Sequence, residues 1–258
     1  MLVLLSPAKT LDYATPPPTA AFSQPQHLAE AEQLIKLLRK LSPVQLASLM
    51  HLSDKLAVLN VARYGSWCRP FSAENAKPAV YAFQGDVYQG LQAQTLDDAG
   101  VLFMQQQLRI LSGLYAVLKP LDLMQPYRLE MGTKLANPSG DTLYAFWGEQ
   151  ISERLNSDLD EQGGERLIVN LASQEYFKAV QLKALRAQVF TPVFKDLKNG
   201  QYKVISFLAK EARGLMSRFI IDNRINRIEQ LKDFDCHGYH FSGTDSTRYE
   251  LVFKRDRR

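Results

Sequence analysis

The chain has 258 residues, of which 46% are hydrophobic and 22% are charged, a balance typical of a globular protein with a sizeable core. Its formal net charge of +4 excludes a histone-like polycation but permits a local basic surface that binds a polyanion. Its apolar runs are far shorter than the roughly 18 residues of a membrane span, and its two cysteines cannot build a disulfide framework, so membrane-spanning and disulfide-rich proteins are excluded.

The predicted elements begin with a short apolar run from Met1 to Leu5, which indicates a buried strand that leads into a loop at Ser6. This run has neither the basic start nor the length of a secretion signal, so we expect a cytoplasmic protein with no membrane partner. Consecutive prolines at 16–18 stiffen the following loop as an extended arm.

Helices are predicted to dominate the next part of the chain. Apolar residues at three- and four-residue spacing indicate a helix from about His27, and Ser42 and Ser53 are suitable N-caps for two more. Further helices are predicted over 96–111 and 144–159, each ended by glycine.

The second half of the chain changes to strand signals. The predicted strands cover residues 167–171, 188–194, 202–208 and 249–254. Lys198-Asn199-Gly200 indicates a hairpin, and a helix is predicted over 210–225. Together the elements predict an α+β (mixed α/β) fold, a single compact domain over residues 1–258 with a mixed sheet and flanking helices.

The segment from Gly113 to Gly132 carries charged and aromatic side chains between apolar ones. Prolines at 120 and 126 exclude one continuous helix, because each lacks an amide donor. We predict short turns that present polar groups, among them Arg128 and Glu130, to a ligand. The alternative is a buried irregular connection.

Polar residues also follow two of the predicted strands. Lys9 and Asp12 come after the first strand, where open α/β sheets bind ligands, although the glycines of a Walker loop are missing. Glu175 and Lys178 come after the strand over 167–171 and share one face of a helix. The alternatives are a polar turn for the first pair and a surface ion pair for the second.

The predicted helix over 210–225 combines cations and small residues on the side opposite its apolar face. Lys210 and Arg213 lie there beside Gly214 and Ser217. Small residues next to cations allow a phosphate backbone to approach closely, a pattern suited to nucleic acid. The alternative is a solvated face with no partner.

Three potential metal ligands, Cys236, His237 and His240, lie close together near the end of the chain. A zinc site usually needs two separated ligand pairs, and the sequence offers no second cluster. We therefore predict no metal site, and no motif indicates a cofactor.

Five segments in consistent order between Met1 and Phe253 resemble the YaaA family of bacterial peroxide-stress proteins. They are SPAKTLDY from Ser6, FQGDVYQGL from Phe83, LSGLYAVLKPLDLMQPYRLEMG from Leu111, NLASQEYFKAV from Asn170 and ISFLAKEARGLMSRFII from Ile205. The resemblance implies a cytoplasmic protein that limits free intracellular iron and oxidative damage during hydrogen peroxide stress. It also implies a single-domain mixed α/β fold with a cationic cleft and a helix-hairpin-helix-like element that binds DNA.

We expect that element at Leu108 to Asp122. In such modules the hairpin glycines free backbone amides to hold a DNA phosphate without reading sequence. Gly113 occupies one glycine position, but Ala116 stands where a second glycine is expected, and Lys119 could supply the charge.

The leading hypothesis is peroxide-stress protection with sequence-independent DNA binding. The candidate nucleic-acid-binding residues are Lys9, Gly113, Lys119, Arg128, Lys178, Lys210, Arg213 and Arg218.

The rival hypothesis is an enzyme that acts on a nucleic-acid base or a phosphorylated small molecule in the same cleft. Its candidate catalytic residues are Asp86, Glu130 and Glu175, because acids beside cations can be tuned for acid-base work. Candidate aromatic walls are Tyr88, Tyr115 and Tyr127, and Asp12 is a further acid in these motifs. Direct iron sequestration is a third class, for which the sequence offers few ligands.

Overall fold

The computed structural model describes residues 1–256. Its helices are α1 (Leu28–Leu38), α2 (Pro43–Met50), α3 (Asp54–Ser66), α4 (Ala79–Ala82), α5 (Asp86–Leu91), α6 (Asp98–Gln107), α7 (Leu143–Trp147), α8 (Gln150–Gln162), α9 (Gln174–Phe177) and α10 (Ser206–Asp222). Its strands are β1 (Leu2–Leu5), β2 (Thr10–Leu11), β3 (Lys77–Pro78), β4 (Phe83–Gln84), β5 (Leu108–Ser112), β6 (Ala116–Leu118), β7 (Leu123–Met124), β8 (Leu167–Asn170), β9 (Gln188–Lys198), β10 (Gln201–Lys203), β11 (His240–Phe241) and β12 (Glu250–Arg255). None of the helices within this range is long and apolar enough to cross a bilayer.

The main sheet has the strand order β11-β12-β9-β8-β1-β5-β6, and β10 pairs with β9. Neighbours from β12 through β5 run parallel, whereas β6, β10 and β11 pair antiparallel with their neighbours. The sheet is therefore mixed, and helices flank it in a single compact domain. The predicted fold class is confirmed.

The predicted first strand lies at the centre of this sheet. In β1, Val3 pairs with Leu108 of β5 on one side and with Val169 of β8 on the other. All four residues of β1 are at most 1% exposed. A parallel strand covered on both faces needs a continuous apolar sequence, which explains why the run has no polar alternation.

Local signals predicted several boundaries correctly. Ser42 caps α2, where its Oγ accepts from the Gln45 amide at 3.3 Å and its own amide donates to Gln45 Oε1 at 2.8 Å. The hairpin between β9 and β10 turns at Asn199 and Gly200, which have φ values of 55° and 75°. The second strand of this hairpin is shorter than predicted, because α10 already begins at Ser206.

Two predicted helices have different ends. The helix expected over 96–111 stops at Gln107, and the following residues form β5. The helix expected over 144–159 is divided into α7 and α8 at Gly148, whose φ of 48° ends the first of them.

The helix-hairpin-helix-like element does not lie at Leu108 to Asp122, so its predicted position is wrong. The segment is a β-hairpin in which β5 and β6 pair antiparallel and Ser112 lies opposite Ala116. Residues 108–112 are all buried beside β1, so their apolar side chains belong to the sheet core. The two α-helices that precede this β-hairpin are α5 and α6. Residues 92–97 join them and include a short 3-10 helix.

Helices α5 and α10 cross at a contact between two glycines. A Cβ atom on Gly214 would lie 1.9 Å from the Val87 carbonyl oxygen, and one on Gly90 would lie 2.4 Å from the Glu211 carbonyl oxygen. The small residues of α10 therefore pack against α5, and the interpretation that Gly214 and Ser217 admit a phosphate backbone is wrong, since Ser217 is 1% exposed. This contact fixes the polar residues of both helices relative to each other.

Candidate functional site

A cavity opens at the carboxyl ends of the central parallel strands. The chain leaves β1 at Ser6 and β8 at Leu171, and β1 has β5 on one side and β8 on the other. The connections that follow β1 and β8 lead in opposite directions along the sheet. Open α/β sheets bind their ligands at such a point. We name this cavity the switch-point cavity.

The switch-point cavity has a volume of about 380 Å³ and a lining of mixed charge. Its lining includes the cations Lys9, Arg128, Lys210 and Arg213 and the acids Asp86, Glu130 and Glu175. All three candidate acids and four of the eight candidate nucleic-acid-binding residues therefore line one cavity. Because three acids lie beside four cations, this is a mixed site rather than a uniformly basic surface. The roles of these residues remain predictions.

Two of the cations are held by one carboxylate oxygen. Glu130 Oε1 accepts from Arg128 Nη2 at 2.9 Å and from Arg128 Nε at 3.2 Å, and Lys9 Nζ lies 3.2 Å away. The other oxygen, Glu130 Oε2, is buried and has no hydrogen-bond partner among residues 1–256. Glu130 therefore orients two cations and has one oxygen free to accept a hydrogen bond.

Glu175 is also engaged through one oxygen. Its Oε1 accepts from the Gly132 amide at 2.9 Å, and its carbonyl oxygen accepts from the Tyr144 hydroxyl at 2.9 Å. Lys178 does not line the cavity, and its ammonium lies 5.0 Å from the centre of the Tyr144 ring. Glu175 thus joins α9 to the end of the Gly113–Gly132 segment.

The two cations of α10 that line the cavity are different, because neither has a counter-ion among residues 1–256. Lys210 is exposed, and Arg213 is partly buried. Within the described residues, neither side chain makes an ion pair or a hydrogen bond. Burial lowers the pKa of Arg213, since removal from water disfavours its charged form. A partly buried guanidinium without a counter-ion makes this wall of the cavity attractive to an anion.

Tyrosines close the inner side of the cavity. Tyr88 donates to the Ser6 carbonyl oxygen at 3.0 Å, and the Tyr127 hydroxyl lies 2.6 Å from Ser112 Oγ. Burial raises the pKa of both phenols, so both stay neutral hydrogen-bonding groups. Tyr115, the third predicted aromatic wall, is buried in the core, where its hydroxyl accepts from Trp67 Nε1 at 3.0 Å.

Three further candidates lie away from the switch-point cavity. Lys119 Nζ lies 3.8 Å from Glu161 Oε2 and 3.9 Å from Asp158 Oδ1. Arg218 pairs with Asp222 at 2.8 Å. Gly113 is buried, and a Cβ atom there would lie 2.3 Å from the Leu129 carbonyl oxygen. None of these three residues lines the switch-point cavity.

The metal prediction concerns the segment with Cys236 and His237. His237 Nδ1 lies 3.7 Å from Glu211 Oε1. Within residues 1–256, no three His, Cys, Asp or Glu side chains form a group that could hold a metal ion.

Sequence reasoning missed a second cavity beside the first. It also has a volume of about 380 Å³, and Gln84, Gly85 and Tyr88 line both cavities. Tyr81 lines it too, and its hydroxyl is buried without a hydrogen-bond partner in the described chain. A lone Tyr in an apolar stretch gives no signal of this kind in a sequence.

The fold and the site define a mixed α/β protein with a charged cavity at the switch point of its sheet. The family model of the peroxide stress protein YaaA matches residues 1–245. A UPF0246 protein of Aliivibrio fischeri strain MJ11 is 59% identical over 256 residues, which cover 99% of this chain and 98% of the relative. A UPF0246 protein of Aliivibrio fischeri strain ATCC 700601 / ES114 is 58% identical over the same length, with the same coverage. The chain belongs to the YaaA family of peroxide stress proteins, as its five segments indicate.

Proposed function

We propose that this protein acts in the peroxide stress response of the cytoplasm by binding DNA, without sequence specificity, at the switch-point cavity. DNA binding there would limit oxidative DNA damage. The further role in limiting free iron rests on the family resemblance alone. The observation that carries the proposal is the pair Lys210 and Arg213, two cations that line one wall without a counter-ion in the described chain.

The geometry supports phosphate contacts at this wall. Lys210 and Arg213 lie three residues apart on α10, about one helical turn, so both can approach neighbouring phosphates of one strand. Lys9 and Arg128 add charge on the facing side, although Glu130 neutralises part of it. The contacts would position the backbone without reading bases.

The test is the salt dependence of duplex binding. Affinities of the wild type, Lys210→Ala and Arg213→Ala are measured by fluorescence anisotropy on two unrelated duplexes. The salt concentration is varied between about 50 and 200 mM, a range over which phosphate contacts change the affinity strongly. Each variant should bind both duplexes more weakly and lose about 0.9 from the slope of log affinity against log salt.

Lys55→Ala is the matched control, because Lys55 is exposed on α3 and lines neither cavity. It should behave as the wild type. Absence of duplex binding by the wild type at low salt would remove the proposal.

A second candidate function, an enzyme of the same site, is favoured by one observation. The free oxygen Glu130 Oε2 is buried at a cavity that holds two further acids, Asp86 and Glu175. Acids in this setting can transfer protons to a bound ligand. In that case Glu175→Gln, which keeps an acceptor for the Gly132 amide, would abolish peroxide protection without weakening DNA binding. Loss of both together would indicate that Glu175 only orients its neighbours.

A further inference from the structure

The second cavity, which we name the glutamine pocket, has a different chemical character from the switch-point cavity. Its lining includes three glutamines, Gln84, Gln89 and Gln94, together with Tyr81, Pro16 and Pro18. Its two charged groups face each other, since Lys77 Nζ lies 3.8 Å from Asp12 Oδ2. The remaining polar groups are neutral amides and hydroxyls. The pocket is therefore suited to a neutral group that forms hydrogen bonds.

The glutamine pocket combines hydrogen-bonding side chains with an apolar floor. Gln84, Gln89 and Gln94 are exposed, so their amides are free to donate and to accept. The rings of Phe83 and Tyr88 lie 5.4 Å apart at an angle of 34°. A flat heteroaromatic group with polar edges satisfies both features, because its faces contact rings and its edges match amides.

The buried hydroxyl of Tyr81 is the second observation that indicates a ligand. Tyr81 is 9% exposed, and its hydroxyl has no partner among the described residues. A buried hydroxyl without a partner destabilises the folded protein, so a ligand acceptor that reached it would recover stability.

The pocket wall is held in place before any ligand arrives. Lys77 Nζ donates to the carbonyl oxygens of Asp12 at 2.7 Å and Thr15 at 2.6 Å. These bonds fix the start of the proline arm, of which Pro16 and Pro18 line the pocket. A rigid wall lowers the entropy that binding costs.

The short antiparallel pair of strands β2 and β4 separates the two cavities. Thr10 of β2 pairs with Gln84 of β4, and Gln84, Gly85 and Tyr88 line both sides. A ligand that crossed the edge of this strand pair would place an anionic part beside Arg213 and a neutral, flat part beside Gln84.

We propose that the two cavities together bind one nucleotide, with its phosphate in the switch-point cavity and its base in the glutamine pocket. This inference rests on the proposed function and deepens it, because it makes an unpaired nucleotide the preferred target. The nucleotide is either free or an unpaired residue of a DNA chain. A fully paired duplex would use the phosphate contacts alone.

The experiment compares three duplexes of one sequence, measured by fluorescence anisotropy. One is fully paired, one carries a single bulged base, and one carries an abasic residue at the bulge, which keeps the bend but removes the base. We expect the wild type to bind the bulged duplex about tenfold more tightly than the other two, since one stacked base contributes that order of affinity. A nucleoside monophosphate, titrated by calorimetry, tests the free ligand.

Two variants address the glutamine pocket. Gln89→Ala and Tyr81→Phe should remove the preference for the bulged base and leave the affinity for the paired duplex unchanged, because neither residue lines the switch-point cavity. Tyr81→Phe also removes an unpartnered buried hydroxyl, so its thermal midpoint should stay equal or rise while base recognition falls, which a merely structural role would not produce. Gln33→Ala, on the exposed face of α1, is the control.

Each outcome separates the inference from the proposed function. Equal binding of all three duplexes with no binding of the monophosphate overturns the inference and leaves DNA binding intact. Binding of the monophosphate, reduced by Gln89→Ala, without duplex binding overturns the DNA function and supports the nucleotide site with a free ligand. No binding of any probe overturns both.

Discussion

Glu130 has the most connected carboxylate of the switch-point cavity. One of its oxygens holds Arg128 and Lys9, and the other is buried without a partner in the described chain. The same group therefore positions two cations and weakens their attraction for a phosphate. Both effects have measurable consequences.

We expect Glu130→Gln to raise the affinity for duplex DNA at low salt and to steepen its salt dependence, because Arg128 and Lys9 lose their counter-ion. The thermal midpoint should fall, since the two cations are then less well compensated. Fluorescence anisotropy measures the DNA affinity, and thermal unfolding measures the midpoint. Glu153→Gln, on the exposed face of α8, is the control. Unchanged affinity and midpoint would show that Glu130 neither orients nor screens the cations.

Asp122 gives a pH-dependent prediction away from the cavity. Its Oδ1 accepts from Ser23 Oγ at 2.6 Å and its Oδ2 from the Lys119 amide at 2.7 Å. Burial nevertheless raises its pKa from 3.8 to about 6. The folded state thus holds this proton more tightly than the unfolded state does, and the resulting stabilisation is present below pH 3.8 and is lost as the pH rises through about 6.

Asp122→Asn should remove this contribution to the pH dependence. Between about pH 4 and pH 7 the free energy of unfolding of the wild type should fall, relative to that of the variant, by about 2 kcal/mol. Urea unfolding of both proteins at the two pH values measures the difference. Parallel pH profiles for the two proteins would contradict the raised pKa.

At the scale of elements, the contact between α5 and α10 keeps the site together. It places Asp86, at the start of α5, in the same cavity as Lys210 and Arg213 of α10. The helices approach closely because both have a glycine at the crossing, Gly90 and Gly214.

We expect Gly214→Ala to destabilise the protein by about 1–3 kcal/mol, because the new methyl group would overlap the Val87 carbonyl oxygen and force the helices apart. DNA affinity should fall with stability, since Arg213 moves with its helix. Gly65→Ala is the control, because no atom lies within 4 Å of its added Cβ in α3. That change should stabilise the protein by about 0.5–1 kcal/mol. Urea unfolding that ranks the two variants in the opposite order would contradict the close packing.

The elements differ in how well their sequences predict them. The strand Leu2–Leu5 and the cap at Ser42 could be predicted, because a continuous apolar run and a capping residue are local signals. The strand Leu108–Ser112 could not, since a short apolar run after a helix is compatible with either structure. Its assignment to the sheet depends on its parallel pairing with β1.

The candidate site was predictable to a similar degree. The residues that line the cavity follow strand ends or lie in polar segments, such as Lys9 after β1 and Glu175 after β8. The ion pair of Arg218 with Asp222 spans one turn of α10, so its four-residue spacing is a local signal. By contrast, the ion pair of Lys119 with Asp158 depends on how the elements pack. The unpartnered hydroxyl of Tyr81 depends on the same packing and has no local signal.

At the scale of the whole molecule, the sheet topology explains why distant segments meet. Loops that follow β1 and β8 leave the sheet at the same edge, and the turns after the β5–β6 hairpin bring Arg128 there. Helix α10 then supplies the wall with Lys210 and Arg213. The chain belongs to a family of peroxide stress proteins, and our proposal assigns that role to this cavity.

Peroxide survival of cells that depend on this protein tests most directly the central claim that the switch-point cavity is the site of action. A strain that lacks the protein is complemented with the wild type, Arg213→Ala or the control Lys55→Ala, and equal protein levels are confirmed. We expect the wild type and Lys55→Ala to restore survival of a hydrogen peroxide challenge, and Arg213→Ala to fail, because its cavity wall has lost a cation without a counter-ion. Full protection by Arg213→Ala at equal protein levels would contradict the claim.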